Sequence, residues 1–489
     1  MKFCKQCIKE FEVFDEDRAF YKKIDVPEPT LCPECRSQRR LASRNERTLY
    51  RRKCDYSGKE IISYYSPNAT IVVYDQSVWW SDVWDPMKYG RDIDFSRPFF
   101  EQFAELQRTV PHYAVYNMNP VNSEYVNFAL DSKNCYMCFS TTFNEDCLYS
   151  YCIDYSRDCV DCTYTRDQSE LCYSCIDIAR CYRSSYCQNS KGLNDCMFCY
   201  DCANCDHCFG SVNLRNASYY WFNEKVTPEE YERRLKAARL CTSSGVREMR
   251  EQCTNNGKKF PRRYAWIVNS EDSTGDHLEH TNNCRVCFDI SDSEHSAFLA
   301  RGYRLKDCMD GYGFLDAELA YEVQSSGRGS KMRFCVMSYF NSDIQYCEQC
   351  YNSSELFGCV GLNKKSYCIL NKHYTKEEYD VLVGKLVAHM KETGEYGEFF
   401  PVALWPFGYN ETLASEYYPL TREQALAKGY HWQDAMPGSH GKETMALDDV
   451  PDDISVVAED IVRHVLACSS CGKNYKIIKQ EFEFYKKLL

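Results

Sequence analysis

The sequence lacks the segments and motifs that define several large classes of protein. No stretch approaches the roughly 18 consecutive apolar residues of a transmembrane helix, and the opening MKFCKQC has no apolar core that could act as a secretory signal. The motifs G-x-x-x-x-G-K-[ST], G-x-G-x-x-G, G-x-S-x-G and H-E-x-x-H are also missing. We therefore expect a cytoplasmic protein without membrane contact, identify no catalytic residue, and favour binding over catalysis.

Cysteine, by contrast, occurs at 32 of the 489 positions. In a reducing compartment these thiols serve as metal ligands or as buried side chains rather than as disulfides. The pairs Cys4-x-x-Cys7 and Cys32-Pro-Glu-Cys35 are separated by 24 residues, a spacing typical of a four-thiolate Zn²⁺ site. Pro33 predicts that a helix starts at the second pair, as in a treble-clef zinc finger. We assign all four cysteines as zinc ligands of a module spanning residues 1–60.

A row of arginines follows the second cysteine pair. The segment CPECRSQRRLASRNERTLYRRKC is predicted to run as one helix, and a single face of it carries the arginines that recur at steps of three and four, namely Arg36, Arg40, Arg44, Arg47 and Arg51. Residues 36–59 hold nine Lys and Arg against two acidic residues, although the whole chain has a net charge of -12. This pattern predicts contacts to the phosphates of RNA or DNA. The alternative is that the arginines dock on the acidic remainder of the same chain.

The last residues repeat the first ones in part. CSSCGKNYKIIKQEFEFYKKL aligns without gaps with the N-terminal CKQCIKEFEVFDEDRAFYKKI, which makes Cys468 and Cys471 half of a zinc site. CDYSGKE, from Cys54, has the same form with Ser57 in place of the second cysteine. Serine is a poor zinc ligand, so Cys54 is expected to be a buried thiol or a substitute ligand for another pair.

The centre of the chain contains an internal duplication. FGSVNLRNASYYWFNEKVTPEEY, residues 209–231, returns as FGCVGLNKKSYCILNKHYTKEEY, residues 357–379. We place the first copy at 111–257 and the second at 258–398. Cysteines recur twelve or twenty-four residues apart, and Asn or Asp precedes many of them, which predicts a β-solenoid with coils of roughly two dozen residues. Each copy ends with a capping box at a helix start, Thr227 and Thr375.

The solenoid cysteines are expected to be mainly core side chains. Cys196 and Cys208 of the first copy align with Ile344 and Leu356 of the second, and metal ligands do not exchange with aliphatic residues. Some positions keep cysteine in both copies and remain candidate ligands, including Cys135, Cys138, Cys199, Cys202, Cys284, Cys287, Cys347 and Cys350. A string of small zinc fingers is the alternative to the solenoid.

These segments together predict a mainly β protein with small α+β modules. An N-terminal treble-clef or zinc-ribbon module precedes a duplicated, cysteine-rich β-solenoid with capping helices and a C-terminal zinc-ribbon half. An aromatic connector occupies residues 61–110, an aromatic segment at 399–437 caps the solenoid, and 438–489 contain an acidic linker and the incomplete zinc ribbon. The expected function is a Zn²⁺-binding scaffold that engages nucleic acid through the arginines and a protein partner through the solenoid. A purely structural or protein-interaction module, and a metal- or thiol-dependent enzyme, are the alternatives.

Several stretches also resemble a known group of sequences. CPECRSQRRLASRNERTLYRRKC, SGKEIISYYSP, WWSDVWDP, YGRDIDFSRPFFEQF, FPRRYA, PFGYNET and CGKNYKII are similar to those of an uncharacterised family of large cysteine-rich zinc-ribbon proteins from uncultured small-genome bacteria. The resemblance implies no activity. It implies that such a chain continues beyond Cys471 into a second C-P-x-x-R return; completion of the half site by a second chain, or by Cys54, is the competing expectation.

Overall fold

The computed structural model describes residues 1–488 and divides the chain into two compact units. Unit 1 consists of Met1–Val115 and Arg263–Ala435. Unit 2 consists of Tyr116–Arg262 and the segment that begins at Met436. Each unit therefore combines one copy of the internal repeat with one terminal module.

Ten α-helices occur within residues 1–488, and most lie outside the repeats. They are α1 Asp15–Lys23, α2 Pro33–Leu41, α3 Gln76–Trp79, α4 Phe99–Thr109, α5 Pro228–Ala237, α6 Ser243–Gly257, α7 Lys376–Glu392, α8 Leu413–Tyr417, α9 Arg422–Ala427 and α10 Lys479–Lys487. Short 3₁₀ helices are formed by Pro86–Tyr89, Val402–Leu404, Tyr409–Glu411, Leu447–Asp449, Ile454–Val456 and Glu459–Arg463.

The β-strands are short with two exceptions in the second repeat, β23 and β24. Before and within the first repeat they are β1 Lys2–Phe3, β2 Glu10–Phe11, β3 Tyr50–Lys53, β4 Glu60–Ser63, β5 Val73–Tyr74, β6 His112–Tyr113, β7 Asn117–Met118, β8 Asn127–Leu130, β9 Phe139–Thr142, β10 Tyr151–Ile153, β11 Arg157–Val160, β12 Thr163–Arg166, β13 Glu170–Tyr173, β14 Ile176–Ala179, β15 Gln188–Asn194, β16 Ala203–Phe209, β17 Ser218–Trp221 and β18 Glu224–Lys225. From the second repeat onward they are β19 Ile267–Val268, β20 Gly275–Glu279, β21 Asn282–Arg285, β22 Cys287–Ser291, β23 Glu294–Gln324, β24 Gly327–Val336, β25 Ser342–Gln345, β26 Ser354–Phe357, β27 Ser366–Ile369, β28 Lys372–His373, β29 Leu466–Ala467 and β30 Asn474–Tyr475.

Both repeats form parallel β-solenoids, as the sequence predicts, but the coil is half the expected length. Tyr151 pairs with Thr163 and Leu315 pairs with Gly327, so most coils advance twelve residues. The prediction of roughly two dozen residues per coil was wrong, because cysteine occupies only some of the interior positions. An antiparallel hairpin ends each solenoid, β17 with β18 and β27 with β28.

Every third residue of the coil has left-handed backbone geometry, and this turns the chain at each corner. Asn134, Asp146, Asp158, Asp195 and Asp307 all have φ between 47° and 54°. Asn and Asp tolerate this region better than other side chains that carry a Cβ atom. The Asn or Asp that precedes many cysteines is therefore the corner residue, which confirms that these positions are turns.

The residue after each corner points into the coil, where space is narrow. Cysteine, serine, alanine and threonine occupy many of these positions, and the cysteines there are at most 1% exposed. Each buried thiol reaches backbone carbonyls: the Sγ atom of Cys187 lies 3.4 Å from the oxygen of Ser185 and 3.5 Å from that of Cys196 in the next coil. The prediction that the solenoid thiols mainly fill the core is consistent with this burial.

The predicted helix starts after the repeats are present. The hydroxyl of Thr227 accepts a hydrogen bond from the amide of Glu230, and Thr375 does the same for Glu378. The aromatic segment after residue 399 packs against Tyr312, in the middle of the second solenoid. It also covers Leu41 and Ala42 at the end of α2 through Tyr409 and Leu413, so this segment fixes the N-terminal module as well.

Candidate metal centre and buried arginine cluster

The first cysteine pair lies in a tight hairpin between β1 and β2. The amide of Cys4 donates to the carbonyl of Lys9 at 2.9 Å, and the amide of Ile8 donates to the carbonyl of Cys4 at 2.9 Å. Ile8 takes a left-handed φ of 62°, which closes the turn immediately after Cys7. The Sγ atoms of Cys4 and Cys7 lie within 4.8 Å of each other.

The second pair lies at the start of α2 and completes a four-sulfur group. Cys32 precedes the helix, Pro33 is its first residue, and Cys35 lies in its first turn. The four Sγ atoms of Cys4, Cys7, Cys32 and Cys35 all lie within 4.8 Å of one another, and those of Cys7 and Cys32 are 3.7 Å apart. Thiolates about 2.3 Å from a tetrahedral zinc are about 3.8 Å apart, so the group has dimensions suited to such an ion.

The thiols of this group differ in their readiness to ionise. Burial opposes ionisation of Cys4, but hydrogen bonds from the backbone amides of Cys32, Cys7 and Gln6 lower its pKa to about 6. Burial raises the pKa of Cys32 and of Cys35. Because four thiolates this close repel one another, a cation is required for all of them to deprotonate. The arrangement can therefore bind a metal ion.

The arginines after Cys35 do not form the continuous exposed row that the sequence predicts. Helix α2 ends at Leu41, and the hydroxyl of Ser43 donates to the carbonyl of Arg40. The side chain of Asn45 then binds the backbone of Thr48 and Tyr64, which takes the chain out of the helix and into β3. The prediction of one helix through residue 51 was wrong, because Ser43 and Asn45 stop it.

The three arginines within α2 point into unit 1 and meet carboxylates of the second solenoid. Arg36 Nη2 lies 2.9 Å from the Asp310 carboxylate, and Arg40 Nη2 lies 3.3 Å from it. The Glu322 carboxylate lies 2.6 Å from Arg40 Nη1 and 2.8 Å from Arg39 Nη2. The side chains of Arg36 and Arg40 are 2% exposed, and both carboxylates are fully buried. Burial acts to raise the pKa of Glu322, but Arg40 and Arg39 outweigh it and hold the pKa below its ordinary value.

The other predicted arginines lie beyond the helix. Arg44 is buried and paired with Glu46, while Arg47 is partly exposed and paired with Glu416. Arg51 lies in strand β3 and is exposed. Arg36, Arg40 and Arg44 are therefore enclosed in this fold, whereas Arg47 and Arg51 reach the surface.

Sequence reasoning missed the acidic half of this cluster. Asp310 lies 274 positions after Arg36, and Glu322 lies 282 positions after Arg40. Arg39 lies outside the predicted row. The duplication gave one indication that Asp310 has a particular role, since an aspartate, Asp161, occupies the equivalent position of the first repeat. Nothing in the sequence indicates that either residue faces an arginine.

The hairpin of Cys4 and Cys7 recurs twice. Cys54 donates its amide to Lys59 and Cys468 donates to Lys473, at 2.8 and 2.9 Å, as Cys4 does to Lys9. Cys54 is a buried thiol whose sulfur accepts the amides of Asp75 and Ser57. This agrees with the buried-thiol prediction for Cys54.

The C-terminal cysteine pair, Cys468 and Cys471, is accessible to solvent. Cys471 is exposed and Cys468 is partly exposed. Hydrogen bonds from the backbone amides of Cys471 and Ser470 lower the pKa of Cys468.

Within residues 1–488, Cys4, Cys7, Cys32 and Cys35 form the only group of three or more potential metal ligands. The two terminal sulfurs of Cys468 and Cys471 therefore have no third ligand there. The candidate solenoid cysteines are each enclosed in the interior and have no such group around them. These are Cys135, Cys138, Cys199, Cys202, Cys284, Cys287, Cys347 and Cys350.

The helices and the sequence of this chain were each compared with known classes of protein. None of the helices described for residues 1–488 is long and apolar enough to cross a bilayer. A scan against protein-family models finds none that matches this chain, and a search of curated proteins finds no match.

Proposed function

We propose that this chain is a zinc-stabilised scaffold that binds a protein partner and has no catalytic centre of its own. The four thiols of Cys4, Cys7, Cys32 and Cys35 would hold one structural Zn²⁺ in a treble-clef or zinc-ribbon module. Four protein thiolates fill the tetrahedral positions of zinc and leave none for substrate or water, which favours a structural over a catalytic ion.

One observation favours a scaffold over a nucleic-acid-binding protein: the guanidinium groups of Arg36 and Arg40 are buried against Asp310 and Glu322. Their charge is compensated inside the molecule, so it adds little to a surface potential. The metal and the arginine cluster would act together, since Cys35 and Arg36 are adjacent on α2. Zinc fixes the start of that helix and the carboxylates fix its side chains.

Nucleic-acid binding is the second candidate, through a different surface from the predicted helix face. The hairpin of β3 and β4 exposes Arg51 and Lys53 on one strand, and Lys59 follows in its turn. Few phosphates could be contacted by so small a group, so binding would be weak and its dependence on salt shallow.

The two functions are separated by titrating the intact protein with a fluorescent single-stranded RNA of 20 nucleotides and an equal duplex DNA. For the scaffold we expect no binding that weakens steeply between 50 and 200 mM salt, and no excess absorbance at 260 nm after purification. Binding lost in a variant with Arg51→Glu and Lys53→Glu, but kept in one with Lys9→Glu, would establish the nucleic-acid function instead. Lys9 is an exposed control on another hairpin.

A further inference from the structure

The two units contain the same contact between a terminal helix and a solenoid. In unit 1 the ring of Tyr21 on α1 meets Tyr321 edge to face with centroids 5.4 Å apart. In unit 2 the ring of Tyr485 on α10 meets Tyr173 edge to face at 5.5 Å. Tyr485 aligns with Tyr21 in the duplicated terminal segments, and Tyr173 aligns with Tyr321 in the duplicated solenoids.

Two further pairs show that the match extends along the helix. Phe20 lies 6.1 Å from Tyr321, and its counterpart Phe484 lies 6.1 Å from Tyr173. Lys23 Nζ lies 2.9 Å from Asp307, and its counterpart Lys487 lies 3.3 Å from Asp158. Strands β29 and β30 and helix α10 also repeat the lengths and spacing of β1, β2 and α1. Each solenoid therefore holds its terminal hairpin and helix in the same way.

The segment beside the contact between terminal helix and solenoid differs between the two units. In unit 1, α2 supplies Cys32 and Cys35 to the hairpin cysteines and Arg36 to the buried Asp310. In unit 2 no segment within residues 1–488 does so. Cys468 and Cys471 have no third ligand there, and Asp161, the counterpart of Asp310, is exposed and forms no ion pair in the described part of the chain. A metal half site and an unpaired carboxylate thus lie where unit 1 holds α2.

We propose that unit 2 is a docking site for a helix that begins with Cys-Pro-x-Cys and has arginine immediately after the second cysteine. One Zn²⁺ would be held by Cys468, Cys471 and the two cysteines of the incoming segment, with loss of the four thiol protons to solvent. The arginine would pair with Asp161. This inference deepens the proposed scaffold function and rests on it, because it gives the chemistry of the partner and takes the Cys4 group as the pattern for the zinc site.

The solenoid also sets which arginines of the partner matter. In unit 1 Asp310 contacts Arg36 and Arg40, whereas Glu322 contacts Arg39 and Arg40. In unit 2 the place of Glu322 is taken by Ser174. A partner arginine equivalent to Arg36 is therefore required, and one equivalent to Arg39 is not.

The test uses the intact chain and a labelled synthetic peptide of its own residues 25–48, which contains the return segment of unit 1. Under reducing conditions with zinc, we expect the peptide to elute with the protein and the zinc content to rise from one to two ions per chain. Cys468→Ser with Cys471→Ser should abolish both effects. Asp161→Asn should weaken peptide binding roughly tenfold, as expected for loss of a charge-assisted pair, while Asp272→Asn on an exposed turn should not.

Peptide variants give matched controls. Arg36→Glu in the peptide should weaken binding, and Arg39→Glu should have a much smaller effect. A second zinc bound without peptide, zinc-dependent dimers that form through Cys468 and Cys471 alone, or peptide binding that survives loss of both cysteines would overturn the inference. A chain with no zinc in either unit would instead contradict the proposed scaffold function, so the two failures are distinguishable.

Discussion

Asp310 and Asp161 occupy equivalent positions in the two solenoids but have opposite electrostatic surroundings. Asp310 is buried and lies 2.9 Å from Arg36. Asp161 reaches the surface and has no ion pair within residues 1–488; partial desolvation by the protein atoms around it and repulsion from Glu481 raise its pKa to about 6. The aspartate at this position is therefore the ion-pair partner of Arg36 in unit 1 and a charge without a countercharge in unit 2.

The same substitution should consequently have opposite effects at these two positions. Asp310→Asn leaves Arg36 and Arg40 buried without their full countercharge, and we expect a loss of about 3–5 kcal/mol from the free energy of unfolding of unit 1. Asp161→Asn removes an unfavourable charge and should stabilise unit 2 at pH 7. Hydrogen exchange resolved by peptide measures each unit separately. Equal signs at the two positions would contradict the assignment of their surroundings.

The benefit of Asp161→Asn should depend on pH. The pKa of Asp161 is raised in the folded chain from an ordinary value of 3.8 to about 6, so the folded state binds more protons than the unfolded state between these values. Its contribution to stability is present below pH 3.8 and is lost as the pH rises through 6. Protection of unit 2 in the variant should therefore exceed that of the parent protein at pH 7 and match it at pH 4. A constant difference across this range would exclude Asp161 as its cause.

Removal of the proposed zinc ion should loosen the N-terminal module and leave both solenoids intact. A metal site of four thiolates contributes directly to the folding of the small segment that contains it, whereas the solenoids are stabilised by their own interior. We expect a chelator to increase hydrogen exchange in residues 1–41 and not in β12 or β25. Cys4→Ser should have the same effect as chelation. Cys54→Ser, in the hairpin that holds its thiol by backbone amides, should retain full zinc content.

Thiol labelling should distinguish ligands, core cysteines and the open half site. Thiolates react with alkylating reagents, so rates follow exposure and pKa. Cys471 is exposed, and backbone amides lower the pKa of the partly exposed Cys468. With zinc present, mass spectrometry after a short pulse of iodoacetamide should find these two labelled first. Solenoid thiols such as Cys187 should react only on unfolding, and early labelling there would contradict their burial.

The duplications were the most productive feature of the sequence. Repeats within the chain revealed the two solenoids, the terminal hairpins and the helix starts at Thr227 and Thr375, because local hydrogen bonds determine each of these features. The full capping box forms only at Thr375, since the Glu230 side chain pairs with Arg233 and Arg234 instead of returning to Thr227. The four-sulfur group could be predicted for a similar reason, since the spacing from Cys4 to Cys35 allows few other arrangements. The predicted coil length was wrong although cysteines recur twelve residues apart, because serine and alanine share the interior with cysteine, so that some cysteines recur only after twenty-four residues and suggest a longer coil.

The arginine cluster shows where sequence reasoning fails. A regular spacing of arginines gives a helix face only if the helix continues, and the side chains of Ser43 and Asn45 end it. Whether an arginine faces solvent or a carboxylate depends on tertiary contacts such as that of Arg36 with Asp310, which join residues 274 positions apart. Local patterns contain no information about such a contact.

The left-handed geometry of the coil corners can be tested with a substitution that should stabilise the fold. Val286 lies at a corner with φ of 54° and is 42% exposed. A β-branched residue is strained in this region, and Asn is tolerated there. Val286→Asn should therefore raise the free energy of unfolding by about 1 kcal/mol, measured by urea unfolding or by local hydrogen exchange. Val121→Asn is the matched control, because Val121 is 56% exposed but is not a left-handed residue. The control should bring no gain, and an equal gain at both positions would show that polarity rather than backbone strain is responsible.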